Sequence, residues 1–164
     1  MTGVQTCALP ICLLHAITGT LTLVLCALIL SVPIGILTAL YLTEIRGRFT
    51  RPIRFLVQAM SGVPSIVAGL FILSAVLYPI TKQYSGFMGS LALTILMIPT
   101  IARTSEEVLK LIPNDLREAG VALGGTQWRT VAMIVIPAAR SGLVTAMILG
   151  IARIAGETAP LLLL

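Results

Sequence analysis

Arg153 and Glu157 are the only charged residues after Arg140, and they stand four positions apart in an apolar run. On a helix that spacing places them on one face, where they can pair and lower the cost of burying either charge. Arg153 lies 13 residues beyond Arg140, about 20 Å of helical rise and well inside a bilayer. Such a pair either locks helices together or lines a path for an anion, and the two roles are compatible. On a path, Arg153 attracts the anion while Glu157 keeps it from being trapped. Gly142, Ala146, Gly150, Arg153 and Glu157 share an arc of about 80°. The small residues in that arc permit close approach of a neighbouring helix.

A second constellation is Glu118-Ala119-Gly120, then Gly124, then Ile134-Val135-Ile136-Pro137. Pro113-Asn114-Asp115 precedes it, and Asn114 or Asp115 can cap a short helix over residues 116–123. Gly124-Gly125 then breaks that helix and turns the chain sharply back. Glu118, on its first turn, can meet a basic partner surface. Just upstream, Thr104-Ser105-Glu106-Glu107 reads as another helix start, with acids in the first turn.

No catalytic residue and no metal site emerges. His15 is the sole histidine, and it is expected at the outer interface of the first span. Cys7, Cys12 and Cys26 form no disulfide or zinc pattern. The chain has no G-x-x-x-x-G-K-[ST] loop, so it cannot cradle nucleotide phosphates in that manner.

The elements that must position these residues follow from composition. Of 164 residues, 57% are hydrophobic and 10% charged, against about 25% charged in soluble domains. That excludes a soluble enzyme and implies an all-helical polytopic membrane bundle. Net charge is +5, yet one Trp and three Tyr interleave with no basic run, so nucleic acid is not the partner. The basic excess marks loops instead.

Residues 12–42, 55–81 and 83–102 are charge-free and long enough to span, and a fourth span begins at Ser141. Pro33, Pro64, Pro79 and Pro99 fall in or beside these spans, where kinks are tolerated. Segment 43–54 holds Arg46, Arg48, Arg51 and Arg54. Segment 103–140 holds Arg103, Lys110, Arg117, Arg129 and Arg140, whereas only Lys82 separates the second and third spans. Two spans divide the basic segments, so both lie on one side, and the positive-inside rule makes it cytoplasmic.

The Glu118–Pro137 pattern resembles the EAA loop of ABC-transporter permeases, with Gly120 in place of the second alanine and Ile136 in place of leucine. Arg153-Ile154-Ala155-Gly156-Glu157-Thr158-Ala159-Pro160-Leu161 is similar to the R-x-x-G-E-T-x-P-L segment of phosphate-specific transport permeases. Gly62-Val63-Pro64-Ser65-Ile66-Val67-Ala68-Gly69-Leu70, Tyr41-Leu42-Thr43-Glu44 and Arg103-Thr104-Ser105-Glu106-Glu107 also fit. The likeness runs from about Gly19 to Leu164 and is nearest to the A-type branch, with the sister C-type branch as the alternative.

This resemblance implies a bacterial inner-membrane fold of six spans, four of them present here as residues 12–164. It implies a pore shared with a sister permease and fed by a periplasmic phosphate-binding protein. ATP would be bound by a separate subunit, docked on Glu118, Ala119, Gly120 and Gly124, with Ile134 and Pro137 completing the loop. No cofactor belongs to the permease itself, and membrane lipid surrounds it. Alternatives are a permease for another oxyanion or small solute, and a non-transporting scaffold that docks an ATPase.

Residues 1–11 stand apart. Their sequence matches the in-frame translation of a common short-read sequencing adapter, and the chain stops inside an apolar run at Leu161-Leu162-Leu163-Leu164. Both ends read as those of a fragment of a longer frame.

Overall fold

The computed structural model describes residues 5–45, 47–75 and 86–157, with side chains from residue 14 onward. The described residues contain helices and no strand. Helix α1 is Gln5–Glu44, α2 is Thr50–Ser61, α3 is Ser65–Ile72 and α4 is Gly86–Lys110. The short α5 is Asn114–Ala122 and α6 is Gln127–Thr130. A π-helical turn, Val131–Val135, joins α6 to α7, Ile136–Ala155, without a break.

Among the described residues three helical stretches are long and apolar enough to cross a membrane: Leu14–Glu44, Gly86–Lys110 and Gln127–Ala155. The exposed stripe Leu14, Ile17, Leu21, Leu25 and Ile29 on α1 is what lipid contact requires, since water would penalise it. α4 is the axis of the bundle and packs against α1, α2, α3 and α7. Leu93, Met97 and Ile101 of α4 are buried with Ala27 of α1 and Ile154 of α7. A second cluster joins Ala39 and Leu40 to Leu109, Val131, Val135, Ala139 and Leu143.

Two expectations change. The charge-free stretch 55–81 is not one straight span: α2 and α3 meet at 104°. Pro64 sits at φ −59°, ψ 139° ahead of α3, and its ring disfavours helical backbone at Val63. Among the described residues this bent pair is the one candidate for a fourth crossing, and residues 76–85 lie outside them. Thr104-Ser105-Glu106-Glu107 is not a helix start either, because α4 runs through it to Lys110. Glu106 is neutralised there by two cations, so its charge needs no helix terminus.

The segment 103–140 is therefore less a loop than two helix extensions with α5 between them. The fourth span begins its helix at Gln127, and residues 158–164 lie outside the described residues.

Candidate functional site

Pro113 precedes α5 in an extended conformation, φ −57° and ψ 140°, and no side chain caps the helix. The expected Asn114 or Asp115 cap is thus absent, because both residues already belong to α5. Its other end is closed by backbone alone. Gly124 N donates to Val121 O at 2.9 Å and Gly125 N to Gly120 O at 3.3 Å, the paired bonds of a Schellman turn. Gly124 has φ +81°, and a Cβ there meets nothing within 4 Å. Its requirement for glycine is thus conformational. Gly124→Ala should cost about 1–2 kcal/mol, the left-handed penalty, and Gly124→Asn visibly less. Thermal melts of the two variants check this, and equal melts would show that the turn is not held.

Glu118 and Ala119 are exposed, while Gly120 is buried. A Cβ on Gly120 would meet Thr130 Cγ2 at 2.5 Å and Ile134 Cδ1 at 2.8 Å. The small residue therefore lets α5 lie directly on the π-helical turn. Gly120 and Ile134 come together, whereas Pro137 is exposed at the start of α7.

Charge then fastens α5 to the bundle. Arg117 Nη2 lies 3.1 Å from Glu44 Oε1 at the end of α1 and donates to Leu109 O at 2.9 Å. Gln127 Nε2 donates to Glu44 O at 3.1 Å. Beside this, Glu106 Oε1 is met by Arg54 Nη2 at 2.8 Å and Lys110 Nζ at 2.7 Å. The Glu44 and Glu106 side chains are only 7% and 8% exposed. The sequence alone places Glu106 in a helix start and Glu44 in a resemblance motif, and assigns neither a buried ion pair. The available signal was an acid at the end of an apolar run, facing a surplus of arginine. A cleft of about 1110 Å³ opens between α1, α5 and α6, lined by Glu44, Arg117, Glu118, Gln127 and Trp128 among others.

The Arg153–Glu157 constellation lies on the α4–α7 face. Ala146 is fully buried, and a Cβ on Gly150 would meet Met97 Cε at 2.9 Å. A Cβ on Gly142 would collide with Val108 Cγ1. Further along, Arg153 is exposed and its Nη1 donates to Thr100 Oγ1 at 2.9 Å. Thr100 follows Pro99 inside α4. α7 ends at Ala155 with Gly156 as its C-cap, so Glu157 stands beyond the helix and not one turn further along it. Among the described residues no ion pair joins it to Arg153. Thr158-Ala159-Pro160-Leu161 lie outside the described residues.

The sequence model of the family described as "Binding-protein-dependent transport system inner membrane component" matches residues 31–164. The Mycobacterium tuberculosis (strain H37Rv) protein named "Phosphate transport system permease protein PstA 1" is 47% identical over 151 residues, covering 92% of this chain and 49% of that protein. The Pasteurella multocida (strain Pm70) "Phosphate transport system permease protein PstA" is 46% identical over 153 residues, covering 92% of this chain and 54% of its own length. The chain thus spans about half the length of these relatives. An inward-facing structure of the MetNI methionine ABC transporter shares the fold, with TM-score 0.82 at 23% identity over 87% of this chain and 69% of that one.

Proposed function

The chain belongs to the family of binding-protein-dependent transport system inner membrane components, and from that premise we propose that it forms part of the pore of an ATP-driven phosphate importer. A sister permease supplies the rest of the pore, and a periplasmic phosphate-binding protein delivers the anion. A separate ATP-binding subunit docks on α5, where Glu118 and Ala119 face outward, on the cytoplasmic side. The permease itself is no enzyme, because ATP is bound and hydrolysed by that partner.

The observation that carries this reading is the pairing of two features on one helical frame. At one end α5 is immobilised by Gly120 packing, the Schellman turn and Arg117, yet it presents an acidic outer face. Along the frame, α7 carries Arg153 to Thr100 at a depth where a cation is costly and marks an ion path or a helix-locking contact. Movement of α5 pulls on the continuous α6–α7 rod and on α1 through Glu44. That motion changes access along the α4–α7 face, which is alternating access driven from one end. The near-half identity to proteins named as phosphate transport permeases supports phosphate as the anion.

Arg153→Gln tests the reading in the full-length transporter. Losing one charge-assisted hydrogen bond is worth roughly 1.5–3 kcal/mol, about ten- to a hundredfold in phosphate uptake. The ATP-binding subunit should still copurify, since α5 is untouched. Uptake at the parental rate would remove Arg153 from the path.

A further inference from the structure

α2 is amphipathic in three sectors rather than two. Val57 is buried against the bundle, with Ile53 and Met60 half-buried beside it. At 100° per residue Pro52, Phe55, Leu56 and Ala59 share an arc of about 100° on another side. Phe55 is 74% exposed and Leu56 59%. Between these two apolar sectors runs a polar wedge of Arg51, Arg54 and Gln58. Arg54 is used internally by Glu106. Arg51, and Arg48 just before the helix, are exposed and have no ion-pair partner among the described residues.

Two observations place this helix. It meets α3 at 104°, so if α3 runs across the bilayer, α2 lies nearly in its plane. Arg54 holds it at the level of Glu106, and Glu106 is 20 residues past the start of α4. That is about 30 Å of helical rise, the thickness of the hydrocarbon core. An in-plane helix at the boundary, with an apolar flank and a basic edge, matches the chemistry of a lipid surface.

We infer that α2 is an interfacial helix that seats Phe55 and Leu56 among acyl chains and binds anionic phospholipid headgroups through Arg48 and Arg51, on the side of the membrane where α5 lies. Anionic headgroups concentrate near such basic residues, and screening by salt weakens the attraction. The inference rests on α2 and its placement against α3 and α4, and does not depend on which solute is carried.

The test uses the full-length permease in nanodiscs, with Phe55→Cys carrying a fluorophore in a background without other cysteines. Nitroxide-headgroup phosphatidylglycerol and phosphatidylcholine serve as quenchers, each at the same mole fraction. Phosphatidylglycerol should quench at least twofold more strongly, and Arg48→Gln with Arg51→Gln should equalise the two lipids without abolishing quenching. Equal quenching before those substitutions overturns the headgroup preference. Absence of quenching by either lipid, with a photocrosslinker at position 55 capturing a protein subunit, overturns the lipid assignment altogether.

Discussion

Replacing Arg117 by methionine is expected to lower the stability of the folded chain by about 2–4 kcal/mol and, on the proposed function, to uncouple ATP hydrolysis from transport. The substitution keeps the aliphatic stem and removes only the guanidinium. It leaves the Glu44 carboxylate, 7% exposed, with no ion-pair partner among the described residues, and it frees the Leu109 carbonyl at the end of α4. Breaking a buried pair by removing one partner costs about 3–5 kcal/mol when both are dry. Arg117 is 24% exposed, so the figure here is discounted.

The opposite substitution should hurt less. Glu44→Gln strands a guanidinium that is partly solvated and still donates to Leu109 O. The double variant should then lose less than the two single losses added together, by about 1–3 kcal/mol of coupling. Thermal melts of the four proteins measure this directly. Additive losses would show that Arg117 and Glu44 are neighbours without energetic consequence. On the proposed function, Arg117→Met in the full-length transporter should leave ATP hydrolysis in place while phosphate uptake falls, because α5 would still dock the ATP-binding subunit but no longer drag α1.

Much of this frame is legible in the amino-acid order, and what is not has local causes. The long apolar runs are visible because burial in lipid needs nothing but length and hydropathy. The α5 turn is visible because Gly124-Gly125 answers a backbone demand made within six residues. The bend at Pro64 is different: a charge-free run looks the same whether it continues straight or turns, and only the geometry at Val63 separates the two. Glu106 is misread as a helix start for a related reason. Its neutralising partner Arg54 lies 52 positions earlier in the chain, so no local window contains both. Arg153 shows the limit of spacing arithmetic, since a four-residue interval pairs side chains only while the helix lasts, and Gly156 ends it first.

Gly142→Leu should disrupt the α4–α7 contact outright, and the smaller Gly142→Ala shows why. A Cβ at position 142 collides with Val108 Cγ1 and lies 2.9 Å from Cγ2 and 3.2 Å from Cβ. Those atoms belong to a β-branched side chain with one preferred rotamer in a helix, so the clash is relieved only by moving α4 from α7. Overpacking of this kind costs about 1–3 kcal/mol, offset by about 1 kcal/mol from the better helix propensity of alanine. Gly150 provides the internal comparison. Its nearest obstacle is Met97 Cε at 2.9 Å, the far end of a flexible chain that can swing aside, and Ile101 Cγ1 at 3.1 Å needs to give by only a few tenths of an ångström. Gly150→Ala should therefore be close to neutral, while Gly142→Ala melts earlier and Gly142→Leu fails to yield a monodisperse protein. Val108→Ala should restore Gly142→Ala and leave Gly150→Ala unchanged. If both alanine variants melt alike, or Val108→Ala rescues neither, the helices are not held by that contact. The rescue also reaches function, because the same α4–α7 contact holds Arg153 within reach of Thr100. Uptake lost in Gly142→Ala should return with the stability, whereas uptake lost in Arg153→Gln should not.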